Sequence, residues 1–262
     1  MSGDRSTTRA LGLVTGASSG IGRALVDEFV AAGLDVLAVA DEDVCALPDG
    51  ARYVRADLAT PQGNDDVVEA ITLEERPVVA AALNAGRGVS GRFDETPLAA
   101  HLQLVAVNIV SPLRLAHHLT STMAAQGFGR ILVTSSVAAQ GPGPYQSTYA
   151  ASKAFLHAFA RALRYELRDT GVTVTSLLPG PTDTLFFERA DMGRTWIARG
   201  PKADPADVAR EAFAAMTAGK ASIVPGSWFL KVESAVSALM PEGVATRLQA
   251  ALARPRGRDR QT

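Results

Sequence analysis

The sequence holds one cysteine, Cys45, in 262 residues. That excludes an intrachain disulfide, a thiolate metal cluster and a Cys-x-x-Cys redox pair, and it fits a reducing compartment. Cys45 has no base beside it in sequence and is expected to be inert. An excess of charge of one sign is also missing. The 26 basic and 27 acidic residues leave a formal net charge of −1, without the surplus that holds a polyanion, so no nucleic-acid partner is expected. The apolar stretch around Ile223 to Met240 is cut by Pro225, Gly226, Lys231 and Glu233. A bilayer span needs roughly 20 apolar residues, so no membrane partner is expected either. The polar Met1 to Arg9 segment lacks the apolar run of a signal peptide, which points to the cytoplasm. His101, His117, His118 and His157 have no acidic or cysteine partners at ligand spacing. Helix-surface or core roles are expected for them, and no metal site.

No repeat, low-complexity block or Gly/Ser/Pro-rich linker divides the chain. One domain over residues 10–252 is expected, with a flexible leader at 1–9 and a flexible basic tail at 253–262. Within it, β-prone runs occur at Leu11–Thr15, Val36–Ala40, Arg52–Arg55, Val78–Leu83, Arg130–Thr134, Val172–Leu178 and Ser222–Val224. Helical periodicity marks Gly22–Ala32, Asp65–Ile71, Pro97–Ala125, Tyr149–Arg168 and Pro205–Ala218. Parallel neighbours cannot be joined by a tight turn and need crossover helices. The alternation therefore predicts an α/β protein: three layers, doubly wound, around a parallel sheet of about seven strands. Ligands of such sheets lie beyond the carboxyl ends of the strands.

The first strand runs into Thr15-Gly16-Ala17-Ser18-Ser19-Gly20-Ile21-Gly22, followed at once by a helix. Glycines there permit a tight turn and close approach of backbone N–H groups to a pyrophosphate at the positive end of the helix. The second strand ends in Asp41-Glu42-Asp43. A carboxylate there can accept hydrogen bonds from the adenosine ribose and would repel a 2′-phosphate, which favours NAD over NADP. Asp57 and Leu58 after the third strand, and Asn84-Ala85-Gly86 after the fourth, are placed for the same ligand, with Asp57 an acceptor for the adenine amino group.

Tyr149 and Lys153 stand four apart at the head of a long amphipathic helix, so both address one small volume. A free tyrosine has a pKa of about 10, and lowering it to about 7 takes roughly 4 kcal/mol of differential stabilisation, which a nearby cation can supply. Such a phenol is a general acid toward a carbonyl oxygen or a base toward an alcohol. The preceding strand ends in Ser135-Ser136, whose hydroxyls can donate to an oxygen that gains charge; Ser136 is the first choice and Ser135 the reserve.

With these motifs in order over roughly residues 10–225, together with Asn108 and Pro179-Gly180, the chain resembles the short-chain dehydrogenase/reductase family. The resemblance implies a Rossmann fold and hydride transfer between NAD(P) and a carbonyl or secondary alcohol. It implies Tyr149 as proton donor or acceptor, and Lys153 binding the nicotinamide ribose and lowering the Tyr149 pKa. It implies Ser136 orienting the substrate and Asn108 positioning a water in the proton relay. The nicotinamide is expected near Pro179, Gly180, Thr182 and Thr184, and the phosphates near Gly16, Ser18, Ser19, Gly20, Ile21 and Gly22. Two departures stand out. Leu83 replaces the first of the family's usual two asparagines, and Asp41 falls where NADP-dependent members carry Arg while Ala40 falls where NAD-dependent members carry Asp.

Gln140, Tyr145, Phe186, Phe187 and Trp196 join Ser136 and Tyr149 as candidate substrate contacts, and their apolar character suggests a hydrophobic or aromatic carbonyl compound. The resemblance further implies a homo-oligomer, dimer or tetramer, joined through the helices at Pro97–Ala125 and Tyr149–Arg168. Two other readings stand beside this one. A dehydratase or epimerase could keep the fold and the nucleotide, and a nucleotide-sensing, non-catalytic protein would be marked by loss of Ser136, Tyr149 or Lys153, none of which is lost.

Overall fold

The computed structural model describes residues 9–42, 47–186, 190 and 202–226, with isolated positions between 243 and 253. Strands β1 (Leu11–Thr15), β2 (Asp35–Ala40), β3 (Ala51–Arg55), β4 (Val78–Leu83), β5 (Gly129–Thr134), β6 (Val172–Leu177) and β7 (Ser222–Ile223) form one parallel sheet. Its order is β3-β2-β1-β4-β5-β6-β7, so the strand order reverses between β1 and β4. A crevice opens there at the carboxyl ends, the ligand position of a doubly wound sheet. The expected α/β Rossmann architecture of seven parallel strands is the observed one.

Helices cover both faces because the strands are apolar on both. On one face Leu11, Leu13, Leu37, Ile131 and Val133 pack against α2 (Pro61–Thr72), α4 (Ser111–Gln126) and α5 (Ser147–Glu166). On the other, Val14, Val36, Ala38 and Leu132 meet α1 (Gly20–Ala31) and α6 (Pro205–Thr217), where Phe29 and Phe213 meet edge to face at 5.3 Å. Nearly continuous apolar strands of this kind are what a sheet buried on both sides requires.

Element ends shift by a few residues from expectation, for local reasons. α2 begins at Pro61 rather than near Asp65, because Thr60 caps it by accepting from Gly63 N at 3.0 Å, and proline suits the first helical position. α5 starts two residues before Tyr149 and stops at Glu166. The largest correction concerns Pro97–Ala125, which is not one regular helix. α3 (Leu98–Val105) runs into a π-helical turn, Ala106–Val110, before α4 begins. Pro112 has no N–H to offer the Asn108 carbonyl four residues back, and the helix widens where that bond is missing. The helical run 98–126 is long and apolar enough to cross a membrane by length and composition. Its Leu104, Val107, Leu115, Leu119 and Met123 are nevertheless buried in the protein, as in a core helix.

Candidate active site

The crevice between β1 and β4 is built from backbone. Gly16 and Gly20 have φ of +70° and +56°, the left-handed region that glycine enters without a Cβ clash. Gly22 lies so close beneath the loop that a Cβ would stand 2.0 Å from the Gly16 carbonyl oxygen. Ser19 stands at the N-cap of α1 and makes no side-chain capping bond, so its hydroxyl leaves the first helical N–H groups uncovered. Thr15 ties the crevice together: its Oγ1 accepts from the N–H groups of Asn84 and Ala85 at 2.9 and 3.0 Å. Asn84 donates through Nδ2 to Thr15 O at 3.2 Å and accepts from Thr134 Oγ1 at 3.0 Å, bracing the ends of β1, β4 and β5. The Asn84 side chain is therefore occupied within the protein. Gly86 passes Lys153 so closely that a Cβ would lie 3.2 Å from Nζ. These features fit a dinucleotide, with uncovered N–H groups at the helix end and glycines that let a ligand approach the backbone.

The adjacent end, between β5 and α5, is built from buried polar side chains. Lys153 is 3% exposed, its Nζ donating to Thr134 O at 2.9 Å and lying 5.8 Å from the Tyr149 ring centroid. Ser135 Oγ donates to Lys153 O at 2.6 Å and so clamps α5 to the end of β5, which removes it as the reserve candidate. Ser136 accepts from Ala138 N at 3.1 Å and stands near enough to the Tyr149 phenol to pull its pKa down. Asn108, fully buried on the π-turn, accepts from Arg87 N at 2.8 Å and donates to Arg87 O and Ser152 Oγ, both at 3.0 Å. Ser152 Oγ in turn donates to Tyr149 O at 2.7 Å. The structure thus brings Asn108, Ser136, Tyr149 and Lys153 to one end of the sheet, with Asn108 linked through Ser152 to the Tyr149 main chain and Lys153 bound to Thr134.

The protonation states differ from expectation. Burial pushes the Tyr149 phenol up to about 12, and Ser136 works the other way without overcoming it. Lys153 itself is lowered to about 8 by burial, so it remains largely cationic at neutral pH. The expected lowering of Tyr149 by Lys153 is not observed: desolvation of the phenolate dominates, and Ser136 rather than Lys153 pulls the other way.

A comparison with known proteins gives this geometry a lineage. Residues 11–194 match the family model for short chain dehydrogenase. The chain belongs to the short-chain dehydrogenase family. An uncharacterized oxidoreductase of Escherichia coli is 35% identical over 188 residues, covering 68% of each chain. One from Staphylococcus epidermidis is 30% identical over 187 residues, covering 69% of this chain and 81% of its own. Among solved structures, a short-chain dehydrogenase from Streptomyces avermitilis superposes with a TM-score of 0.78 at 27% identity, covering 94% of this chain and 96% of its own. The protein is therefore an oxidoreductase with the NAD(P)-dependent dehydrogenase/reductase fold.

The remaining candidates of this short-chain dehydrogenase are placed unevenly. Thr184 lies over the glycine loop, where a Cβ on Gly20 would come 2.6 Å from its Cγ2. Thr182 is turned inward, donating to Gly180 O at 3.0 Å and bridging Ala203. Asp41 is exposed at the end of β2, while Leu58 is buried. Asp57 spends one carboxylate oxygen on its own turn, accepting from Ala59 N at 2.9 Å. Phe186 faces the Tyr149 ring at 5.3 Å between centroids and approaches Gly88. Tyr145, with φ of +63°, is joined to the loop after β4 by Gly91 N donating to its carbonyl at 2.9 Å. Gln140 closes the short helical turn Val137–Gln140 after β5. Phe187 and Trp196, with Cys45 and Asp43, lie outside the described residues. Sequence reasoning missed Thr15, Thr134 and Ser152. Each was visible only as a hydroxyl beside a motif residue, and only the fold shows that these hydroxyls and carbonyls carry the network.

Proposed function

We propose that this oxidoreductase interconverts a carbonyl compound and its secondary alcohol, with Asn108, Ser136, Tyr149 and Lys153 handling the proton. The observation that carries the reading is Tyr149 standing beside the buried Lys153, whose Nζ is bound to the end of β5, with Ser136 at the same strand end. The nicotinamide, when bound, supplies or accepts the hydride. Tyr149, neutral at physiological pH, donates its phenolic proton to the carbonyl oxygen as charge builds there. Ser136 donates a hydrogen bond to the same oxygen. Lys153 offsets the charge left on Tyr149 and holds the nicotinamide ribose. Asn108 has its side-chain amide fully engaged, so its part in the relay, positioning a water, falls to the main-chain carbonyl that Pro112 leaves without an α-helical partner.

NAD is preferred over NADP, because the exposed carboxylate of Asp41 repels a 2′-phosphate. Residues around Gly16–Gly22, Asp57, Leu58, Asn84–Gly86 and Pro179–Thr184 surround the dinucleotide. The protein works in the cytoplasm as a dimer or tetramer. The exposed apolar residues Leu98, Leu102, Val110 and Leu113 on the α3–α4 run support an interface between copies, and a monomer by light scattering would refute it.

The decisive experiment is a screen of aldehydes, ketones and secondary alcohols with NADH, NADPH and their oxidised forms, read at the reduced-nicotinamide absorbance. Turnover is expected, with NADH binding more tightly than NADPH; the opposite order would remove Asp41 from the argument. Tyr149→Phe is expected to lower turnover by about 10³-fold or more while cofactor affinity stays within a few-fold. Near-normal turnover in that variant would overturn the mechanism.

A further inference from the structure

Arg87 takes no part in the proton-handling group through its side chain, yet it is held there more firmly than an ordinary loop residue. Its N–H and its carbonyl are both bound by the Asn108 amide, at 2.8 and 3.0 Å. The preceding residue, Gly86, lies against Lys153 Nζ, and Gly88, the next one, lies against the Phe186 ring that faces Tyr149. The backbone of Arg87 is thus fixed between Lys153 and Phe186. Its side chain is exposed, and among the described residues no carboxylate pairs with its guanidinium. The acids of the same connection are taken, since Arg92 binds both Asp94 and Glu95, at 2.7 and 3.1 Å. In the chain that leads from β6 to Phe186, Asp183 is paired with Lys202 at 3.2 Å. Arg87 therefore presents a cation that no carboxylate among the described residues neutralises. The hydroxyl of Ser90, three residues on in the same loop, is shielded from solvent without a hydrogen-bond partner. Gly91 fastens that loop to Tyr145.

We propose that Arg87 selects substrates carrying an anionic group, so that the substrate class is an oxo acid, or hydroxy acid, with an apolar body. The apolar part lies along Gly88 and Phe186, the carbonyl meets Ser136 and Tyr149, and the carboxylate meets the Arg87 guanidinium, a planar donor suited to that group. The fixed backbone sets where the side chain starts, and the exposed guanidinium is left to engage the carboxylate. The inference rests on the carbonyl-reductase reading above, and it changes the expectation of a merely hydrophobic substrate.

The test pairs benzoylpropionate and levulinate each with its methyl ester, using the full chain with its reduced cofactor. Turnover is followed at the nicotinamide absorbance, and binding of each compound to the cofactor-loaded protein by calorimetry. The acids are expected to exceed the esters in kcat/KM and in affinity by about tenfold or more, mainly through KM. Arg87→Gln should remove that preference while leaving ester turnover and cofactor affinity within about twofold, and Arg87→Lys should keep part of it. Esters turned over as well as the acids, equal losses on acid and ester in Arg87→Gln, weaker cofactor binding in that variant, or no acid bound by calorimetry would each overturn the proposal. Acid preference in binding without any turnover would uphold the anion site and overturn the hydride-transfer reading instead.

Discussion

The two halves of the site are made of different material. At the crevice between β1 and β4 the working surface is main chain: positive-φ glycines, an uncovered helix end and strand termini braced by Thr15 and Asn84. Between β5 and α5 it is side chain, with Lys153, Ser135, Ser136, Asn108 and Ser152 buried and hydrogen-bonded to one another or to carbonyls. A surface made of backbone tolerates no added atom, whereas a surface made of side chains tolerates an isosteric change in shape and fails in its chemistry. The two halves should therefore break in opposite ways.

The largest effect is expected from Gly22→Ala. The new Cβ would meet the Gly16 carbonyl at 2.0 Å and Asn84 Nδ2 at 2.6 Å, and the backbone atom cannot swing aside. Destabilisation by more than about 3 kcal/mol is expected, with cofactor binding lost, measured by urea unfolding and by titration with NADH. A variant as stable as the parent would show that the crevice is softer than its geometry implies. Ser136→Ala should do the reverse, keeping stability and cofactor affinity while turnover falls by about 10²-fold. Ser135→Ala sharpens the contrast within two adjacent hydroxyls. Loss of its bond to Lys153 O should cost about 1–2 kcal/mol of stability with a much smaller loss of turnover. Equal losses of turnover in the two variants would abolish the distinction between them.

The halves also differ in how they can be read from sequence. The strand and helix order follows from periodicity, and Gly16, Gly20 and Gly22 are legible as a spacing between a strand and a helix, although the atoms that crowd Gly16 and Gly20 belong to Ala85 and Thr184 far along the chain. The Tyr149 and Lys153 pair is legible for the same reason, four residues apart on one helix. What was not legible depends on contacts across the fold. Asn108 reaches Arg87 and Ser152, 21 and 44 residues away, and nothing local distinguishes Ser135 as the clamp from Ser136 as the neighbour of Tyr149. The phenol's pKa was misjudged because spacing reports which charge is near and says nothing of how much water is removed. The π-turn was foreshadowed only by Pro112, since the carbonyl it deprives is visible once the helix is known to continue through it.

Burial of Lys153 gives the side-chain half a pH signature that the backbone half lacks. Its pKa in the folded protein, about 8, lies below the value of about 10.4 for an unfolded lysine. Between the two the unfolded chain binds more protons, so stability rises with pH through that window; below the folded value the cost of the buried cation is present in full. Tyr149 opposes this only at higher pH. Its folded value of about 12 exceeds the ordinary value of about 10, so its contribution is intact below pH 10 and is lost as pH climbs through 12. Between pH 8 and pH 9.5 the protein should therefore gain about 2 kcal/mol relative to Lys153→Met, in which the titrating cation is absent. Turnover in the reductive direction should fall over the same interval as Lys153 loses the charge that steadies the ionised Tyr149. Paired urea midpoints and initial rates at the two pH values read both effects. A stability difference that stays constant with pH would place the Lys153 ammonium in contact with solvent, and would return the proton-handling end to an ordinary polar surface.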